Sequence, residues 1–168
     1  MTSDRLKLAM GQIVSARDYL KTLLGDFSDA EMFVIPAGCS SHLAWQIGHL
    51  AMAQYGLCLF RIRGRAELDL ELMPSYFRKQ FSRGSVPNPD PAANPSVEQI
   101  REVFERVYQQ VLAELPSVVD AQLDDPVESP YAATATKLGS LLFSAHHEML
   151  HAGQIGMLRR MLGKTPVR

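Results

Sequence analysis

The chain has 168 residues, of which 46% are hydrophobic and 21% are charged, as in a typical globular protein with a buried core. Its 17 basic and 18 acidic residues give a formal net charge of −1, which argues against binding to nucleic acid or to an acidic membrane surface. No apolar run approaches the roughly 20 residues that span a bilayer, and the N-terminus shows no secretory signal. With only two cysteines there is no disulfide framework. We therefore expect one cytoplasmic domain over residues 1–168.

The apolar residues recur at helical spacing in four long segments, and no alternating pattern typical of strands is present. The predicted helices cover about residues 4–24, 40–63, 96–116 and 136–162. Between the second and third lies a proline-rich stretch, residues 64–95, which is expected to be a long surface loop. The predicted fold class is all-α, a four-helix bundle with a long connection between helices two and three.

The helix ends carry recognisable signals. Ser40 and Ser41 are suitable N-caps for the second helix, and the segment from Ser96 to Gln99 has the pattern of a capping box. Gly163 follows the last helix, where a glycine commonly ends one.

Histidines on two of these helices indicate a metal site. His147 and His151 are four residues apart, so they project from the same helix face one turn apart. His49 lies in the middle of the second helix among apolar residues and is the better third ligand. His42 precedes it by two turns, roughly 10 Å, so only one of the two can reach a given metal. We expect His42 to be wetter and to lie at a pocket rim, and we predict His49, His147 and His151 as metal ligands.

Other interpretations of these histidines stay open. A single histidine on an apolar helix is more often a hydrogen-bonded core residue than a ligand, and the conjunction of three is what favours a metal. His147 to His151 also match the His-Glu-x-x-His signature of zinc peptidases, with Glu148 as general base. Such enzymes take their third ligand downstream, where no Asp or Glu follows Glu148. A zinc peptidase is therefore a remote alternative.

Several side chains on the fourth helix are candidates for the surroundings of the metal. Gln154, one turn beyond His151, would either hydrogen-bond a ligand imidazole or serve in helix packing. Ser144 shares the helix face of the two histidines and is a candidate pocket residue. Glu148 lies about 100° from His147, so a solvated or interhelix carboxylate is favoured over a catalytic base.

Candidates also come from the second helix and from the connection that follows it. Trp45 lies between His42 and His49 on nearly the same side and is expected to belong to the core or the pocket wall. Tyr76 and Arg83, in the long connection, could close over the site, although most loop residues have no such role.

Two motifs resemble those of a known family. Trp45-Gln46-Ile47-Gly48-His49-Leu50 resembles the second-helix segment of the DinB-like proteins, which include the bacillithiol- and mycothiol-dependent transferases. His147-x-x-x-His151-Ala152-Gly153-Gln154-Ile155 resembles the fourth-helix segment of that family. The stretch Phe81-Ser82-Arg83-Gly84-Ser85 and the tail at residues 158–164 also fit. The resemblance spans nearly the whole chain and keeps the order of the elements.

The resemblance implies a helical bundle with a three-histidine site that usually binds zinc or nickel, and often a homodimer. Ala152 departs from the basic residue that is frequent before the glycine, which leaves the metal ligands untouched. The association of the family name with DNA damage implies no binding of nucleic acid.

A site of three neutral imidazoles leaves at least one coordination position open on a divalent ion. Water bound there would be acidified and could hydrolyse an electrophile, whereas a bound thiol would react as a thiolate. The expected function is therefore that of a metal-dependent hydrolase or thiol-dependent S-transferase with a small-molecule substrate and, in the second case, a low-molecular-weight thiol. The alternative is a non-catalytic, metal-stabilised or ligand-binding helical dimer.

Overall fold

The computed structural model describes residues 2–128 and 131–167, and over these ranges the chain is helical without a named strand. The all-α prediction is confirmed. The helices are α1 (Asp4–Leu24), α2 (Leu43–Tyr55), α3 (Arg61–Arg63), α4 (Asp69–Leu72), α5 (Ser75–Gln80), α6 (Val97–Glu114) and α7 (Lys137–Met161). A π-helical turn at Gly56–Phe60 joins α2 directly to α3. No helix among the described residues is long and apolar enough to cross a bilayer.

The long helices pack side by side because each carries an apolar stripe. α1 lies along α7, and α2 contacts both α6 and α7. The stripe of α1 is buried throughout its length and comprises Leu6, Ala9, Ile13, Ala16, Leu20 and Leu23. Burying each large aliphatic side chain contributes about 1.5–3 kcal/mol. Helix α7 therefore lies between α1 and α2, so that its histidines can approach side chains of α2.

The N-terminus of the second helix differs from the prediction. Neither Ser40 nor Ser41 caps α2; His42 does, because its Nδ1 accepts a hydrogen bond from the backbone N–H of Trp45 at 3.1 Å. The other ring nitrogen of His42 contacts the carbonyl oxygen of Asn88 at 3.0 Å. His42 is 0% exposed, so the prediction of a wetter residue at a pocket rim was wrong. Its ring is occupied by capping and by the connection folded over it.

The predicted capping box at Ser96 is confirmed. The Ser96 hydroxyl accepts from the N–H of Gln99 at 3.2 Å, and the Gln99 side chain accepts from the N–H of Ser96 at 3.0 Å. Thr136 caps α7 by accepting from the N–H of Gly139 at 3.1 Å. Each cap satisfies a backbone donor that the helix itself leaves free.

The connection at residues 64–95 is folded rather than a simple surface loop. It contains α4 and α5, and Phe77 and Phe81 within it are fully buried. Phe81 lies so close to α2 that a Cβ atom on Gly48 would fall 2.5 Å from its ring. The expectation of a surface segment was therefore wrong for its middle part, because two aromatic side chains anchor it to α2.

Candidate metal centre

Three imidazoles from α2 and α7 converge in the interior. One ring nitrogen from each of His49, His147 and His151 can be chosen so that all lie within 4.8 Å of one another. The Nε2 atoms of His147 and His151 are 3.2 Å apart. His49 and His151 are buried, and His147 is half-buried. The structure thus brings together the three side chains that the sequence singled out.

Hydrogen bonds to oxygen set the tautomers of two of these rings. The Nδ1 of His49 donates to the carbonyl oxygen of Phe81 at 2.9 Å, and the Nδ1 of His151 donates to Oε1 of Gln46. Because both partners are oxygen acceptors, each ring carries its proton on Nδ1 and presents the lone pair of Nε2. This is the orientation that a ligating histidine needs.

The donor set fits a divalent transition metal. Two nitrogens at zinc–nitrogen distances of about 2.0–2.1 Å and a tetrahedral angle lie about 3.3 Å apart, close to the 3.2 Å between His147 and His151. Without an ion, the same separation fits a hydrogen bond from a protonated Nε2 of His147 to the Nε2 of His151. Among the described residues the group contains histidines alone, so an ion held by them would keep open coordination positions.

Burial keeps the imidazoles neutral. Removal from water and, to a smaller extent, repulsion between the neighbouring rings together lower the pKa of His147 to about 4 and that of His151 to about 3. Burial also lowers the pKa of His49, although the hydrogen bond to Phe81 opposes this. Neutral rings at pH 7 are free to coordinate, because protons do not compete for the nitrogens.

Trp45 supports the α2 side of the site. Its indole stacks on the ring of His49, with centroids 4.7 Å apart and planes 7° from parallel. The indole N–H donates to the hydroxyl of Ser85 at 2.9 Å. Trp45 packs against the hydrophobic core, so of its two expected positions the core is confirmed, and the stacking restricts rotation of the His49 ring.

A cavity of about 480 Å³ lies beside the histidines. His49 and His147 form part of its wall, and the rest is mainly apolar side chains, with two arginines and a serine among them. Three lining residues, Gly56, Leu57 and Phe60, belong to the π-helical turn. Such turns are often found at functional sites, where they alter the direction of neighbouring side chains.

The connection contributes one of its two predicted residues to this cavity. Arg83 lines it, whereas Tyr76 is 56% exposed and is not part of the wall.

Gln154 is not where the sequence suggested. It is exposed and, within the described part of the chain, makes no hydrogen bond to an imidazole. Gln46 bonds to His151 instead. The signal for Gln46 was its position three residues before His49, which places the two side chains next to each other on one helix.

Glu148 and Ser144 make their contacts outside the histidine cluster. Glu148 is 2% exposed and pairs with Arg17 of α1, so of the two predicted alternatives the interhelix carboxylate is confirmed. It is not placed to act as a peptidase base. Ser144 is buried against Cys58, a thiol whose pKa burial raises to about 12. Neither side chain belongs to the wall of the cavity.

The chain shows similarity to known proteins in both sequence and structure. A family model described as the DinB superfamily matches residues 12–155. A solved structure described as a conserved protein from Enterococcus faecalis is 18% identical and superposes with a TM-score of 0.68, covering 98% of this chain and 99% of the other. At that identity the likeness concerns the fold. No curated protein matches the chain significantly.

Proposed function

Because the chain belongs to the DinB superfamily, we propose that its three converging histidines bind one divalent metal ion and that the protein is a metal-dependent enzyme. The observation that carries this proposal is the placement of His49 and His147 on the wall of a cavity large enough for an organic substrate. A purely structural site would instead be closed by a fourth protein ligand, and the described residues offer none.

The proposed metal is zinc or nickel, since imidazole nitrogen suits both ions. An ion with open positions supplies a nucleophile at neutral pH by lowering the pKa of a water or thiol bound to it. The residues of the chain hold and orient the donors. Phe81 and Gln46 keep the Nε2 atoms of His49 and His151 unprotonated, and the apolar wall limits access of water.

The proposed nucleophile comes from outside the chain. The hydroxyl of Ser82 lines the cavity but donates to the carbonyl oxygen of Lys79 rather than to a base that could activate it. Among the residues that the structure describes, no cysteine or carboxylate lines the cavity, and the thiol of Cys58 is buried with a raised pKa. We therefore favour transfer of a low-molecular-weight thiol to a small electrophile. The thiol would release its proton to solvent, its sulfur would bond to carbon, and a leaving group would depart with the electrons of the bond that breaks. Hydrolysis is the second candidate, because the same open position accepts water.

We also propose that α7 mediates a homodimer. Four apolar side chains on one arc of its surface, Met149, Leu150, Met157 and Met161, are 44–59% exposed. On the same arc, a Cβ atom at Gly153 would meet nothing within 4 Å. A glycine in mid-helix costs about 1 kcal/mol relative to alanine, and close approach of a second α7 is a physical reason for it.

A second copy is the proposed occupant because an isologous contact needs only one self-complementary helix face. Sedimentation equilibrium is expected to give twice the chain mass. Met157→Glu should convert it to the monomer mass, whereas the exposed substitution Leu8→Glu on α1 should not. A monomeric parent protein would refute the dimer.

The two free cysteines fit a reducing compartment such as the cytoplasm.

The first experiment is metal analysis by mass spectrometry on untagged protein. About one zinc or nickel per chain is expected, with loss in His49→Ala and in His151→Ala. His146→Ala is the matched control, because His146 is an exposed histidine on the same helix and should leave the metal content unchanged. Absence of metal after reconstitution, or equal loss in the control, would contradict the site.

The second experiment separates the two reactions. Metal-loaded protein is given 1-chloro-2,4-dinitrobenzene with glutathione, cysteine, bacillithiol or mycothiol, and thioether formation is followed by absorbance. Hydrolysis is followed separately with 4-nitrophenyl acetate without thiol. Activity that needs both a thiol and His151 supports transfer, and activity that needs His151 alone supports hydrolysis. A rate equal to that of His151→Ala in both assays would favour the non-catalytic alternative.

A further inference from the structure

Two arginines line the cavity: Arg61 is partly buried and Arg83 is exposed to solvent. They differ in their pairing from three other arginines of the protein. Arg17, Arg63 and Arg159 are each paired with a carboxylate. Over residues 2–128 and 131–167, Arg61 and Arg83 have no such partner; their recorded contacts are with Tyr131. Two guanidinium groups therefore contribute uncompensated positive charge to the cavity that His49 and His147 also line.

The two arginines are not equivalent. Arg61 donates from Nη1 to the carbonyl oxygen of Tyr131 at 2.5 Å, which uses part of its hydrogen-bonding capacity. The guanidinium carbon of Arg83 lies 5.1 Å from the centre of the Tyr131 ring, and none of its nitrogens has a hydrogen-bond partner in the described ranges. A free, planar guanidinium is suited to bind a carboxylate through two parallel hydrogen bonds.

Most of the remaining wall is apolar. Met52, Leu57, Phe60 and Phe143 line the cavity and present carbon and sulfur to its interior. A ligand with a purely polar body would lose its hydration there without compensation, whereas an aromatic or aliphatic body is stabilised in proportion to the apolar area that it removes from water. The volume of about 480 Å³ falls in the range of small-molecule sites.

We propose that the cavity binds a small organic acid whose apolar body packs on this wall and whose carboxylate pairs with Arg83, with Arg61 adding a second positive charge. This inference rests on the proposed function, because it takes the acid to be the substrate that is presented to His49 and His147. The carboxylate is the recognition group, and the reacting atom belongs to the part of the ligand that faces the histidines.

The test is isothermal titration of the protein as purified with three probes: phenylacetate, 3-phenylpropionate and 4-phenylbutyrate. Each is compared with its neutral amide, which has nearly the same shape. At least one acid is expected to bind at least tenfold more tightly than its amide. Arg83→Gln should reduce this ratio to near one, and Arg83→Lys should leave an intermediate ratio because it keeps the charge but loses the planar fork.

Matched controls distinguish this site from the metal. Arg65→Gln removes an exposed arginine that does not line the cavity and should keep the parent ratio. His151→Ala should remove the metal. Because His151 does not line the cavity, this variant should keep the Arg83-dependent preference for the acid over its amide. Circular dichroism checks that each variant is folded.

The inference is overturned if no acid binds, if acid and amide bind equally, or if the preference survives Arg83→Gln. It is also overturned if the preference disappears in His151→Ala, since the carboxylate would then have been bound by the metal. Failure of the proposed function is a separate result, a protein without metal, and is read from the metal analysis rather than from these titrations.

Discussion

The carboxylate of Glu148 meets the guanidinium of Arg17 at 2.5 Å, with the two side chains 3% and 0% exposed. The guanidinium lies 3.7 Å from the centre of the Phe104 ring and 4.4 Å from that of Tyr108, and it also donates to Gln54 at 2.9 Å. The pair links α7 to α1 from a position about 100° around the helix from His147. It thereby favours the rotation of α7 that turns its histidines toward α2.

Breaking this pair should be costly. Glu148→Ala leaves the Arg17 charge buried without its partner, and we expect a loss of about 3–5 kcal/mol in the free energy of unfolding, measured by urea denaturation. The control is Glu102→Ala, which removes an exposed helical pair with Arg106 and should cost under about 0.5 kcal/mol. Equal losses of unfolding free energy in the two variants would show that the buried pair stabilises the fold no more than the exposed pair does.

The close contact between Gly48 and Phe81 leads to a second prediction. In Gly48→Ala the new methyl group would overlap the Phe81 ring, and displacement of Phe81 also moves the carbonyl that holds His49. We expect a loss of about 1–3 kcal/mol in stability, together with weaker metal binding.

The matched control for Gly48 is Gly11→Ala in α1. A Cβ atom at Gly11 meets nothing within 4 Å, and alanine is the better helix former, so this variant should gain up to about 1 kcal/mol. Thermal denaturation and zinc titration of both variants provide the measurements. A Gly48→Ala protein as stable as the parent would mean that Phe81 can be displaced at little cost.

Gln46 should affect the metal without being a ligand. Gln46→Leu removes the acceptor that holds the proton of His151 on Nδ1, and we expect metal affinity to fall about 10–100-fold while the far-ultraviolet circular dichroism is unchanged. Gln154→Leu should leave the affinity as it is, because Gln154 is exposed. If instead Gln154→Leu weakens metal binding and Gln46→Leu does not, this assignment is wrong.

The stability of the metal-free protein should depend on pH. The pKa values of His147 and His151 are lowered to about 4 and about 3 in the folded chain, whereas an unfolded histidine titrates near 6.5. The unfolded state therefore binds more protons between these limits, so stability is complete above about pH 6.5 and falls on acidification toward pH 4 and below.

This pH dependence can be measured by urea denaturation of chelator-treated protein at intervals from pH 7.5 to 4. His151→Ala should flatten the dependence, because it removes one of the groups that the unfolded state protonates. His146→Ala should follow the parent curve, since the side chain of His146 is exposed. A parent protein whose stability is constant down to pH 4 would be inconsistent with neutral buried imidazoles.

Much of the architecture is encoded in local sequence. Helical periodicity placed α1 at its observed bounds, and the capping box at Ser96 placed the start of α6. The spacing of His147 and His151 places both on one face of α7 whatever surrounds it. These features depend on residues three or four positions apart, so the amino-acid order by itself determines them.

The surroundings of the histidines depend on contacts between residues far apart in the chain. Nothing local to Gln46 or Gln154 says which amide meets His151, because this depends on how α2 and α7 are rotated against each other. The carbonyl of Phe81 reaches His49 only because the connection folds back onto Gly48. The sequence alone thus determined the helices and the candidate donors, whereas packing decided which groups orient those donors, since helix rotation and close approach follow from the fit of the whole core.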